Sequence, residues 1–193
     1  MIRAVALANS KLYFVDFKDS FTHNILAYLK SSWQCQVVEP CDVHDLLSTE
    51  QARFIWGPGP GRADEYGIDL SLLRSSLLNS NHRHLGICLG HQLIGLALGG
   101  TYRTLGRPLH GVSLEITLPE WSDWGFSTIP EQFQFYNSLV IDINENEGLR
   151  VFKAYNSVMM LATKTVLSCQ FHPESVGTSC PERFFSGVMK NFL

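Results

Sequence analysis

Residues 86–90 read Gly-Ile-Cys-Leu-Gly, where the apolar run HLGIC gives way to HQLIGLALGG. The first run has the length and apolarity of a buried strand over 84–88, and the second reads as a helix closed by glycine. A strand that passes into a helix between two glycines requires a sharp turn. The side chain held between those glycines is lifted out at the top of the sheet. A strand followed by a helix in this way also belongs to a parallel sheet whose faces are covered by helices.

The rest of the first hundred residues repeats the theme. KLYFVD at 11–16 predicts a strand. KDSFTHNILAYLKSS predicts a helix that Asp19 or Ser20 can cap, with Phe21, Ile25, Leu26 and Leu29 at helical spacing. Strands are expected over 34–39 and 52–56, and a helix over 68–78. The breaker GPGPG at 57–61 leaves backbone N–H groups free near a strand end. This order predicts ligand binding at the carboxyl ends of the strands. After Gly100 the pattern turns to β-type runs at 111–118, 133–143 and 149–171, read as the antiparallel wing of one mixed sheet plus hairpins. A last helix is expected to start at Pro181. The expected fold is therefore α/β: a single domain over 11–193 with a mixed, mainly parallel central sheet flanked by helices. Residues 1–10 are expected to form an N-terminal extension or an extra edge segment.

Composition narrows the class. A chain of 193 residues with 45% hydrophobic and 17% charged residues suits one compact core. A net charge of -3 gives no footprint for nucleic acid or an anionic membrane. The five cysteines show no CxxC and no zinc spacing, so neither a disulfide scaffold nor a metal site is expected, and a reducing compartment fits better. The start lacks a sustained apolar run before DFKDS, and nothing reaches transmembrane length. A cytoplasmic protein is expected.

The turn places Cys88 at a helix N-terminus, which favours thiolate over thiol. A thiol nucleophile needs a base, and the base needs an orienting group. Of the seven histidines, His82 and His84 flank a surface-like NHRH turn, His23 lies on a helix, and His91 is better placed to pack than to reach the thiol. His172 ends the buried run VLSCQF and precedes Pro173, with Glu174 two residues on and returning to the same side of an extended segment. Acyl transfer also builds an oxyanion, for which Gly59 and Leu89 can offer backbone N–H groups. On these residues alone, a buried core cysteine beside an ordinary Gly/Pro loop stays open.

The motifs FVDFKDSFTHNI, GPGPG, GICLGHQLI, LHG, YNSL and QFHPES occur in the order seen in class I, triad-type glutamine amidotransferases, and the chain resembles that family from Lys11 to Leu193. Within it, DSFT and the closing NFL are most similar to component II of the chorismate-utilising synthases that make anthranilate or 4-amino-4-deoxychorismate. The resemblance implies a flavodoxin-like α/β fold, Cys88 as nucleophile, His172 as base and Glu174 as its orienting group. It implies an oxyanion hole at Gly59 and Leu89. Gln92 and the backbone around Ser138 and Leu139 would hold the amino-acid end of L-glutamine. It implies no cofactor and no metal, and a chorismate-binding partner subunit that receives ammonia. Three stretches depart from the family pattern: Phe17-Lys18 within DFKDSF, Asn137 where histidine is common, and His110-Gly111-Val112-Ser113 without the usual lysine. Two other readings compete: a stand-alone cysteine hydrolase of the same fold, and a non-catalytic binding or regulatory protein.

Overall fold

A computed structural model describes residues 11–29, 34–121 and 129–193. The proposed segment 1–10 lies outside the described residues. The strands of the first half are β1 (Lys11–Val15), β2 (Cys35–Val38), β3 (Ala52–Trp56) and β4 (His82–Ile87). Those of the second half are β5 (Thr101–Ile116), β6 (Glu131–Asp142), β7 (Arg150–Ala154), β8 (Ser157–Ala162) and β9 (Val166–Cys169). Seven of them form the main sheet, in the order β2-β1-β3-β4-β9-β8-β7. β2, β1, β3, β4 and β9 run parallel, while β8 and β7 add an antiparallel edge. This is the mixed, mainly parallel α/β sheet expected.

Helices cover both faces. They are α1 (Thr22–Leu29), α2 (Val43–Leu47), α3 (Leu70–Leu78), α4 (Leu89–Ala97) and α5 (Pro181–Asn191). Alternation along β1 sends Leu12 and Phe14 to one core, with Ile25, Leu29, Phe184 and Phe185. Tyr13 and Val15 go to the other, with Leu73, Leu77, Leu93 and Ile94. Burying one such side chain is worth about 1.5–3 kcal/mol. A half-exposed ion pair such as Arg103–Asp142 contributes roughly 0–1 kcal/mol. The two apolar faces therefore hold the sheet together.

Local chemistry sets the helix limits. Asp69 caps α3 by accepting from the N–H groups of Ser71 and Leu72, and Pro181 opens α5. At the start of α1, the Asp19 carboxylate accepts from the Phe21 N–H at 2.8 Å. No helix among the described residues is long and apolar enough to cross a membrane.

One expectation is sharpened and one corrected. Of the run at 111–118, residues 111–116 belong to the longer strand β5, which pairs with β6 as a two-stranded antiparallel hairpin outside the main sheet, while the antiparallel wing of the main sheet is β8 and β7. Alternation alone cannot tell a ribbon from a sheet edge, because both bury one face. NHRH is not a surface turn. His82 and His84 lie inside β4, fully buried against Phe54 and Trp56, because neutral imidazoles with hydrogen-bond partners are admissible in a core.

Candidate active site

Parallel pairing of β4 with β9 brings the ends of the two strands side by side, and the pairing continues with the Cys88 N–H donating to the Cys169 carbonyl at 2.9 Å. Cys88 sits at φ 52°, ψ −101°, a strained conformation for a residue with a side chain. The flanking glycines are required by close approach. A Cβ on Gly86 would lie 2.8 Å from the Gly90 carbonyl oxygen, and one on Gly90 would strike the Trp56 carbonyl. The thiol is thus held, nearly buried, at the first turn of α4.

Beyond β9 the chain carries Gln170 and His172 on the same side. Gln170 Nε2 lies 3.6 Å from Cys88 Sγ, and His172 Nδ1 bonds Glu174 Oε1 at 2.7 Å. That contact leaves His172 Nε2 for other partners. It is buried and without a hydrogen bond of normal geometry to protein atoms. The Cys88 sulfur is close enough to act on the ring electrostatically. Burial alone pushes the His172 imidazole down. The charge of Cys88, followed by the bond and charge of Glu174, outweighs burial and holds it well above the usual histidine range. The other cysteines differ. Burial, then the charges of Glu174 and Cys88, pushes the Cys169 thiol far up, and burial pushes Cys35 up to about 11.

A cavity of about 220 Å³ opens over Cys88, lined by Gly59, Pro60, Gly61, Leu89 and Gln92 on one side and by His110, Tyr136, Asn137, Ser138 and Leu139 on the other. The structure therefore gathers Cys88, Gly59, Leu89, Gln92, Ser138 and Leu139 around one space, with His172 and Glu174 behind the thiol. The Gly59 loop is tied in place by Gly57: its N–H donates to Val15 at 3.1 Å, and its carbonyl accepts from the Gly90 N–H at 3.1 Å. Leu89 is the first residue of α4, so its N–H has no intrahelical partner. Gln92 Nε2 donates to the Leu139 carbonyl at 3.0 Å and to Gln170 Oε1 at 3.2 Å. Asn137 Nδ2 donates to the same Leu139 carbonyl at 3.0 Å. The pocket wall at 138–139 is thereby fixed from two sides.

Several residues escaped the sequence reading. Gln170 was legible from alternation with His172, two residues on. The Phe21 and Tyr136 rings, each 5.2 Å from the His172 ring, carried no signal because they meet only in the fold. His91 is packed, with Nδ1 against Ser168 Oγ at 2.9 Å, and burial pushes it down to about 3. Among the described residues, no group of three or more His, Cys, Asp or Glu side chains is placed to hold a metal ion.

The family model described as glutamine amidotransferase class-I matches residues 13–191. Anthranilate synthase component 2 of Porphyra purpurea is 32% identical over 93% of this chain and 96% of its own length. The bifunctional protein TrpGD of Thermotoga maritima is 31% identical over 93% of this chain, which spans 31% of that longer protein. A solved structure from Thermoplasma acidophilum, described as a candidate component of GMP synthase, superposes with a TM-score of 0.77 at 21% identity. The match covers 94% of this chain and 92% of that one, a likeness of fold.

Proposed function

The chain belongs to the class-I glutamine amidotransferases, and from that premise we propose that it is the glutaminase subunit of a chorismate-utilising synthase. In this reading Cys88 thiolate attacks the side-chain amide carbon of L-glutamine. Negative charge moves to the amide oxygen, where the N–H groups of Gly59 and Leu89 receive it. Protonated His172 gives its proton to the departing amine, so ammonia leaves and a γ-glutamyl thioester stays on Cys88. Neutral His172 then takes a proton from water as the water attacks the thioester, and glutamate departs with the thiolate restored. Glu174 fixes the imidazole with Nδ1–H toward itself and Nε2 toward the thiol. Gln92 and the backbone at Ser138 and Leu139 hold the amino-acid end.

One observation carries the reading. A buried His–Glu pair with a raised imidazole stands behind a strained cysteine that faces a small polar cavity. A structural cysteine needs none of these features together. The choice of a chorismate-binding partner rests on the relatives, several of which are anthranilate synthase component 2 proteins. An aromatic acceptor needs a site of its own, and the cavity of about 220 Å³ over Cys88 is lined for a small polar molecule, which supports a separate acceptor subunit. The partner is therefore expected to switch the site on by binding its competent geometry more tightly. The test is glutamate release by the purified chain alone, then with chorismate and the synthase partner that copurifies with it. Strong stimulation with formation of an aminated aromatic product is expected. Full turnover alone, unchanged by the partner, would favour a stand-alone hydrolase.

A further inference from the structure

Outside the cavity, a second buried polar chain runs through the sheet face that carries α3 and α4. His82 and His84 are two residues apart on β4, share a face and are fully buried. Trp56 Nε1, which can only donate, lies 3.1 Å from His84 Nδ1. That nitrogen must accept, so His84 carries its proton on Nε2, 3.3 Å from Ser76 Oγ. Ser76 then directs its own hydroxyl proton to His82 Nδ1 at 2.6 Å. His82 in turn carries its proton on Nε2, where the Thr49 carbonyl, an acceptor only, lies 2.9 Å away. A donor fixed at one end and an acceptor at the other determine every proton between them. Both imidazoles are neutral, and one more proton would set two donors against each other. Burial works in the same direction, pushing His84 down to about 3 and His82 down as well.

The far end of this chain touches the catalytic turn. The Trp56 backbone is the surface on which α4 begins, since Gly90 has no room for a Cβ beside the Trp56 carbonyl. The next residue, Gly57, accepts from the Gly90 N–H and leads into the Gly59 loop. We infer that the Thr49–His82–Ser76–His84–Trp56 chain is a positioning relay. It locks the indole in one orientation, and through the Trp56–Gly57 backbone it sets the Gly59 loop against the Cys88 turn. Packing alone gives no reason for four matched polar side chains in this core, ending on the half-buried Thr49 carbonyl, whereas a polar chain satisfied in one arrangement specifies that arrangement. Trp56 and the two histidines are thus positioning residues that touch no substrate.

The test uses Trp56→Phe, which deletes the donor and keeps a ring, and Ser76→Ala, which cuts the chain between the histidines. Ser76→Thr, which keeps the hydroxyl, is the rescue. Amide hydrogen exchange is read first, because it does not depend on activity. Both disruptive variants are expected to exchange about tenfold faster at Gly57 and Gly90 while β8 and β9 stay unchanged, with Ser76→Thr like wild type. Faster exchange confined to residues 76–84, or spread evenly through the sheet, would overturn the inference. So would histidine nitrogen shifts showing His84 protonated on Nδ1 in the wild type. If Trp56→Phe fails to fold, Ser76→Ala decides, since it leaves the indole in place. The kinetic arm rests on the glutaminase reading: with the synthase partner present, kcat should fall about tenfold with KM nearly unchanged. A loop that exchanges faster with kcat unchanged supports the relay and counts against Gly59 as an oxyanion donor, so the two failures are distinguishable.

Discussion

Gly59→Ala tests the oxyanion assignment more sharply than any change to the thiol. Gly59 does not have a positive φ, so its backbone admits alanine and the conflict is one of contact. The added methyl group would strike Phe17 Cβ and stand 2.7 Å from Leu89 Cδ2. Phe17 is buried and braced edge-on by Tyr66, with ring centres 4.8 Å apart, so it has little freedom to retreat. Carbon atoms rest at about 3.5–4.0 Å, and although the Leu89 side chain can turn aside, Phe17 Cβ cannot, so the loop must shift away from Phe17 by on the order of 1 Å. That movement carries the Gly59 N–H away from the oxygen it is meant to receive. Loss of one such donor costs about 10²–10³ in kcat, while overpacking costs about 1–3 kcal/mol of stability. The assay is glutamate release at saturating glutamine with the synthase partner, alongside thermal melting and alkylation of Cys88 by iodoacetamide. A fall in kcat of about a hundredfold is expected, with the variant folded and the alkylation rate unchanged. A folded variant with wild-type kcat would refute the assignment. Parallel loss of alkylation would move the defect to the thiol instead.

Cys88→Ala is expected to abolish glutamine hydrolysis while the complex still makes product from added ammonia; a γ-glutamyl group trapped on Cys35, Cys41, Cys169 or Cys180 would refute the nucleophile assignment. His172→Ala should be nearly as damaging as loss of the thiol, because it removes both base and leaving-group acid. Glu174→Gln should retain measurable turnover, and the reverse ranking in folded variants would mean the roles are wrong. Stability should fall as pH drops from about 6.5 to 5, a window above most carboxylate titration. His84 and His91 stay neutral when folded but bind protons when unfolded, at about 1.4 kcal/mol per histidine per pH unit. His172 has the opposite sign: its contribution is complete below about 6.5 and is lost as pH rises through its raised folded value. Thermal melting across pH 5–9 checks both limbs, and a melting temperature flat from 6.5 to 5 would contradict the buried neutral histidines.

The parallel half of the fold was legible because each βα unit announces itself locally. Apolar runs of strand length end in turn formers, leucines recur at helical spacing over 68–78, and glycines flank Cys88. His172 and Glu174 do meet, but through a turn at 173–174 and not through the extended segment expected, so the pair was legible from its spacing and not from alternation. What stayed hidden depends on where distant segments meet. The pairing of β5 with β6 outside the main sheet is decided by which face each strand buries, and alternation is identical in both arrangements. The burial of His82 and His84 depends on Ser76 and Trp56, which reach them from another helix and another strand. Asn137, legible only as a departure from a motif, turns out to hold the Leu139 carbonyl jointly with Gln92.

The division of the site between sheet and ribbon bears on how an outside signal can reach it. Cys88 follows the end of β4, and Gly59 lies in the loop that leaves β3, both beside parallel strands packed on both faces. Ser138 and Leu139 belong to β6, tied to that scaffold through the Gln92 contact to Leu139. β6 also grips the histidine segment. The Gln134 carbonyl accepts from the His172 N–H at 2.8 Å, and its side-chain Oε1 accepts from Ser175 Oγ at 2.6 Å. The Thr178 hydroxyl donates to the His172 carbonyl at 2.7 Å. On the outer side, Phe21 from the start of α1 rests on both Tyr136 of β6 and the His172 ring. On the proposed function, a partner pressing on the ribbon or on the turn before α1 would act through these contacts on both the 138–139 wall and the imidazole.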